Sequence, residues 1–277
     1  MREIIHLIGR NIKAANSQTT DRKNRAVRAK VTGKNVVTVV KYPTVKKSTR
    51  SSKKPNTARI LKNIIVLNNS RLNIPARIAA TKEIGRDAKG DNSAISWLLS
   101  LIQKRNENND LIAVGITALS KISDGRPCIV TTIISVLRFN HSSSVVISAM
   151  NAFGKIAIDN SDVADKMLDL LSKPHITTEM QEAIINNLGK VANGHRRAID
   201  RLISILRTHN LIKIRRLAAD SLVQIAVEDP DTSSAMGDLL TEKKLSISFR
   251  NYVAASLKKI APSNPKLAAY IKATAKK

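Results

Sequence analysis

Two series of large aliphatic residues run through the chain at nearly the same interval. One comprises Ile84, Ile122, Ile156, Val191, Ile225 and Ile260, at intervals of 38, 34, 35, 34 and 35 residues. The other lies between its members: Leu67, Ile102, Leu137, Leu171, Leu206 and Leu240, at intervals of 35, 35, 34, 35 and 34. A period of this length, held over six copies, is the mark of one short supersecondary unit repeated. No such unit buries its apolar face alone, so the chain is expected to stack its units side by side.

Each series reads as a helix. In the second, Leu98 and Leu99 precede Ile102, Ile133 and Ile134 precede Leu137, Met167 and Leu168 precede Leu171, and Leu202 and Ile203 precede Leu206. Residues three and four positions apart share one helical face. In the first series the position three before the anchor holds Leu119, Phe153, Leu188, Leu222 and Leu257, with Thr81 the exception. The position eleven before it holds Leu111, Val145, Met180, Ile214 and Phe249. Four before stand Ala80, Ala118, Ala152, Ser221 and Ser256, interrupted by Asn187, and small residues in register let neighbouring helices approach closely. Breaks carry Gly, Pro, Asn and Asp, as in "DGRP" at 124–127 and "EDPDTSS" at 228–234. Pro127, and Asp231 with Thr232, are expected helix starts. The pattern predicts an all-α fold over 58–277, an α-solenoid of about six helix pairs closed by a last helix in "NPKLAAYIKATAKK".

The 277 residues are 43% apolar but include only three Phe, three Tyr and one Trp, so the core falls to Ile, Leu, Val and Ala. Cys128 is the single cysteine, which rules out an intramolecular disulfide and suits a reducing compartment. Its apolar surroundings predict a buried structural thiol. No apolar run approaches the roughly 18 residues a transmembrane helix needs. The start, "MREIIHLIGRNIKAANS", is not a secretory signal; Ile4, Ile5, Leu7, Ile8 and Ile12 suit one side of a short amphipathic helix. Arg2, Arg10 and Lys13 leave mitochondrial import open, against Glu3 and Asp21. The expected location is intracellular and cytoplasmic, with nucleoid, nucleus or mitochondrion as alternatives.

The formal charge is +26, from 47 Lys and Arg against 21 Asp and Glu. An excess of this size calls for a polyanionic partner. It is concentrated: residues 1–57 hold 15 Lys and Arg against Glu3 and Asp21 alone. Their stretch "YPTVKKSTRSSKKPNT" has almost nothing to bury, which predicts a basic, extended or disordered N-terminal arm. The β-prone "NVVTVVKY" at 35–42 is a candidate short strand. Arg22, Lys23, Arg25, Arg28, Lys30, Lys46, Lys47, Arg50, Lys53 and Lys54 are the arm's candidate phosphate contacts.

The phrases "VVISAMNAFGKIA", "EMQEAIINNLGKVAN", "IRRLAADSLVQIA" and "FRNYVAASLKKIA" resemble HEAT repeats, including their bilin-lyase-like subgroup. The resemblance covers 58–277 and implies a right-handed α-solenoid of HEAT-like helix pairs. The family arginine is matched by Arg215 and Arg250, while Ile112, Val146 and Gln181 stand in other copies. Tetratricopeptide repeats share the period but require aromatic and Gly-Tyr positions missing here, and the paired polar positions of pentatricopeptide repeats are absent too. Bilin-lyase likeness would imply chromophore handling, to which this charge does not point. HEAT-like alkylpurine DNA glycosylases show that the architecture can host an enzyme, but base flipping needs an aromatic pocket. His6, His141, His175, His195 and His209 lack metal-ligand spacing, and no nucleotide-binding or hydrolase motif occurs. No catalytic residue, metal or cofactor is expected.

The position before the first-series anchor holds Lys121, Lys155, Lys190 and Lys259, interrupted by Glu83 and Gln224. Stacked, such residues form a ladder suited to a phosphate backbone; the position is equally a common surface lysine of the repeat, and both readings stand. Arg77, Lys82, Arg215, Arg216, Arg250 and Lys258 are further basic candidates on the same helices. His195, Arg196 and Arg197 lie near a helix N-terminus, where anions are favoured. Scarce aromatics leave few base-stacking platforms, so contacts should be to phosphates and shape. The expected function is a non-enzymatic scaffold on nucleic acid, RNA in a ribosome-like ribonucleoprotein before DNA, with neighbouring proteins in a large assembly and no membrane. The alternative is a protein–protein adaptor.

Overall fold

A computed structural model describes residues 57–123, 125–227 and 229–259, with Ala268 and Ile271. The expected arm, its strand at 35–42 and the anchor Ile260 lie outside these residues, apart from Thr57 at the arm's boundary. Of the expected last helix only Ala268 and Ile271 are described, both helical, with Ile271 buried.

Among the described residues there are twelve helices and no strand: α1 Thr57–Asn68, α2 Ile74–Asp87, α3 Asn92–Ile102, α4 Asn109–Ile122, α5 Pro127–Val136, α6 Ser143–Ile156, α7 Ser161–Leu171, α8 Thr178–Val191, α9 Arg196–Thr208, α10 Ile212–Ala226, α11 Pro230–Thr241 and α12 Ile247–Lys258. None is long and apolar enough to cross a membrane. Their starts are written locally. The side chains of Asn73, Asp91, Asn108, Asn160, Thr177 and Ser246 each accept a backbone N–H of the first turn, satisfying donors the helix itself cannot. Pro127 opens α5 as expected. α11 opens at Pro230, not at Asp231, because Asp229 caps it: its carboxylate accepts Asp231 N–H and the Thr232 hydroxyl.

Even-numbered helices pack in a run, α2 on α4, α4 on α6, and so through α8 and α10 to α12. Odd-numbered helices touch their counterparts over less of their length, from α1 to α9, and each packs on the even helix that follows it. One continuous buried cluster of Ile, Leu, Val, Ala and Met threads both sets. All six second-series anchors are buried, as are Ile84, Ile122, Val191 and Ile225. Burying each such side chain contributes about 1.5–3 kcal/mol.

Even helices start at Ile74, Asn109, Ser143, Thr178, Ile212 and Ile247, intervals that alternate between 35 and 34 residues. This regular spacing corrects the register of the first copy by three residues. The residue of α2 equivalent to Ile122 is Asp87, and Ile84 corresponds to Leu119, which removes the apparent exception at Thr81. Arg86, not Glu83, therefore precedes the anchor position, and Glu83 falls in the column of small residues.

That column meets a second one. A Cβ added to Gly85 would lie 2.9 Å from Ala118 Cα, and one on Gly189 would lie 2.8 Å from Ser221 Cα. A Cβ on Gly154 would meet the Asn187 side chain. The glycine ahead of the last-turn cation in α2, α6 and α8 thus faces the residue four before the anchor position on the next even helix: Ala118, Asn187 and Ser221. Glu83 is tolerated because its carboxylate meets Arg59 of α1 and Arg86 instead.

Polar members of the column are satisfied across the same contacts. Asn187 Nδ2 donates to Asn151 Oδ1 at 3.1 Å and to Ala183 O at 2.8 Å. Ser221 Oγ donates to Ile185 O at 2.7 Å. Tyr252 Oη donates to Asp220 Oδ2 at 2.8 Å, with Ser256 Oγ 3.4 Å from Oδ1.

The fourth residue of each even helix forms another column: Arg77, Ile112, Val146, Gln181, Arg215 and Arg250. Its arginines turn inward. Arg77 Nε donates to Leu67 O at 2.9 Å, Arg215 Nε to Leu206 O at 2.7 Å and Arg250 Nη1 to Leu240 O at 3.5 Å. Each acceptor is the anchor near the end of the preceding odd helix, where carbonyls lack helical partners.

Candidate functional site

Lys121, Lys155 and Lys190 occupy the last turn of α4, α6 and α8, three even helices in mutual contact. All three are exposed, and none forms an ion pair among the described residues. Lys190 Nζ donates to Asn187 Oδ1 at 3.3 Å, which anchors it to the seam between helices. One turn before them on the same helices stand the neutral Thr117, Asn151 and Asn186. Even helices packed at roughly 8–10 Å present these ammonium groups at comparable spacing. A cation in a last turn also favours its helix by complementing the dipole, by about 0.3–1 kcal/mol.

Arg86 extends the column into α2, but Glu83 and Asp87 both hold it, and these carboxylates keep the guanidinium firmly charged. In the fifth copy Gln224 interrupts the column, and Lys258 and Lys259 end it, both exposed. Lys82 is exposed on α2.

Other sequence-derived candidates have partners already. Arg77 is buried, and Arg215 and Arg250 are half-buried on the carbonyls described above. Arg215 also lies 4.3 Å above the Phe249 ring and Arg216, exposed, 5.1 Å above that of Tyr252. At the start of α9 the His195 ring closes the helix itself, with Nδ1 accepting Ala198 N–H at 3.3 Å. Arg197 pairs with Asp165 at 2.7 Å and Arg196 with Asp200 at 3.4 Å. The expected anion site there is already occupied by the chain's own groups.

Contact between α9 and α11 is sparse, and a recess of about 410 Å³ lies between them. Its lining sets Arg196 and Arg207 beside Asp200 and Asp238, a balanced rather than a basic pocket. Among the described residues no group of three His, Cys, Asp or Glu is placed to hold a metal ion. Cys128, expected to be buried, is exposed. It is the second residue of α5, whose buried stripe is Ile129, Val130, Ile133 and Val136.

Sequence reasoning missed Arg86, through the misregistered first copy, and the cations of the turns leading from odd to even helices. The candidates Arg22, Lys23, Arg25, Arg28, Lys30, Lys46, Lys47, Arg50, Lys53 and Lys54 lie outside the described residues. No family model and no curated protein matches the sequence.

Proposed function

We propose that this chain is a non-enzymatic scaffold that binds the phosphate backbone of nucleic acid, RNA within a ribonucleoprotein before DNA. In this reading the helix pairs form a right-handed, HEAT-like solenoid, and the basic residues of 1–57 add contacts as an extended arm. The observation that carries it is the column Lys121, Lys155 and Lys190: three exposed cations, free of ion pairs among the described residues, on helices that touch. The net charge of +26 supports it, since a compact chain so charged repels itself until a polyanion compensates. Only seven aromatic residues, with Phe153 wholly buried, leave little for base stacking. Recognition then rests on phosphate geometry and shape.

The test is binding of the full chain to a structured RNA and to duplex DNA across a salt series. A steep fall of log K with log salt, reduced by about 2–3 in slope by Lys121→Gln, Lys155→Gln and Lys190→Gln together, is the expected result. RNA preference at equal salt marks the ribonucleoprotein. Negligible binding of either probe at physiological salt overturns the proposal and leaves the protein adaptor, with the α9–α11 recess as its first candidate groove.

A further inference from the structure

Turns that lead from an odd helix into the following even helix lie together along one side of the helix pairs. Side-chain contacts place consecutive turns side by side. Arg105, after α3, lies 5.3 Å above the ring of Phe139, after α5. His141 Nε2 and Lys173 Nζ, from the turns after α5 and α7, are 2.8 Å apart. Arg207 and Glu242, at the ends of α9 and α11, pair at 3.0 Å.

Five of these six turns carry a cation with no ion-pair partner among the described residues: Arg71, Lys104 with Arg105, Arg138, Lys173, and Lys243 with Lys244. All seven side chains are exposed. The acids within the turns do not neutralise them. Glu107 is drawn inward onto buried Arg77 at 2.7 Å, and Glu242 is held by Arg207. Asp110 and Glu179 lie in the first turns of α4 and α8, and Asp169 and Asp238 near the ends of α7 and α11. Even-helix N-termini here are largely closed by their own caps, so side-chain cations set the field.

We propose that this edge of turns is a second, longer phosphate-binding track, which follows a nucleic-acid backbone from the first helix pair to the last. The proposal rests on the nucleic-acid reading above and assigns that function a surface distinct from the lysine column at the opposite ends of the even helices. Each turn supplies one or two contacts, at the roughly 8–10 Å spacing of packed helices. Such contacts bind by releasing counterions and leave sequence unread.

The experiment uses the full chain and a duplex RNA over a salt series. One variant carries Lys104→Gln, Arg105→Gln, Arg138→Gln and Lys173→Gln. A second carries Arg71→Gln and Lys243→Gln, away from the Phe139 and His141 contacts, so that any local disturbance in the first is controlled. Slopes of log K against log salt should fall by about 3 and about 1–2 respectively, at about 0.7–0.9 per contact. Unchanged slopes in both variants, with the parent chain binding, overturn the edge and spare the nucleic-acid reading. Failure of the parent chain to bind at low salt overturns both, and binding to phosphatidylserine vesicles instead would make the edge a membrane-surface contact.

Discussion

Arg77 holds Glu107 through both carboxylate oxygens, at 3.0 and 2.7 Å, across thirty residues of chain. Both side chains are nearly sealed from solvent, 6% and 10% exposed. The same guanidinium donates to Leu67 O, so one side chain ties the end of α1 to the turn before α4. Bidentate pairing fixes orientation as well as distance, which a lysine would not do.

Removing one partner should be expensive. Glu107→Gln leaves a buried guanidinium uncompensated and should lower stability by about 3 kcal/mol, read as a shift in urea midpoint. Arg77→Met with Glu107→Leu should recover most of the loss. The pair also sets a pH dependence: Arg77 holds the Glu107 carboxyl below its usual range. Its contribution is then present above the ordinary glutamate value near 4.3 and lost as pH falls through the lowered folded value. Glu107→Gln should flatten that acid limb, and an unchanged limb would count against the pair.

Close approach of even helices predicts an inverted glycine effect. Alanine normally favours a helix interior over glycine by about 1 kcal/mol. At Gly85 and Gly189 the new methyl group would press on the backbone of Ala118 and Ser221. Gly85→Ala and Gly189→Ala should therefore destabilise by about 1–3 kcal/mol in thermal or urea unfolding. A gain in stability would show that the helices separate freely.

His141 faces Lys173, whose ammonium can only donate, so the ring nitrogen accepts and the imidazole is neutral. Burial lowers its pKa first, with Lys173 and Lys166 adding repulsion. Protonation thus favours the unfolded chain: the contribution is present above the ordinary value near 6.5 and lost as pH falls towards the folded one. NMR titration should place the His141 midpoint below about 6.5 and move it upward in Lys173→Gln. A midpoint unmoved by that substitution would remove the lysine from the account.

Exposure of Cys128 makes it accessible in the native state. A thiol reagent without denaturant should label the folded chain at one equivalent. Labelling only after denaturation would restore the buried thiol that its apolar neighbours suggest.

Much of the fold was legible because core packing repeats. Leu119, Phe153, Leu188, Leu222 and Leu257 sit in one column and are all buried. The first copy misled because Ile84 is as aliphatic and as buried as a true anchor, while Asp87 holds the equivalent place. Helix starts, set by caps, gave the correct register where apolar residues did not. Arginine roles were not legible: Arg215 and Arg250 look like any surface cation until their carbonyl acceptors come into view. Cations of the turns escaped because turns vary in length. Arg71 lies four residues after Leu67, Lys104 and Lys173 two after Ile102 and Leu171, and Lys243 three after Leu240. No fixed period links them, although the fold sets them along one edge.

The polar residues between even helices differ from one junction to the next. Asn187 answers Asn151, Ser221 answers the Ile185 carbonyl, and Tyr252 and Ser256 answer Asp220. A chain of near-identical units faces a hazard unknown to most folds: a unit can dock on the wrong neighbour and still bury its aliphatic stripe. Here a skipped or exchanged unit would strand an amide, hydroxyl or carboxylate in the seam, at about 1–3 kcal/mol for each orphaned group. At the last three junctions between even helices these residues act as addresses, each favouring its own neighbour over a displaced one.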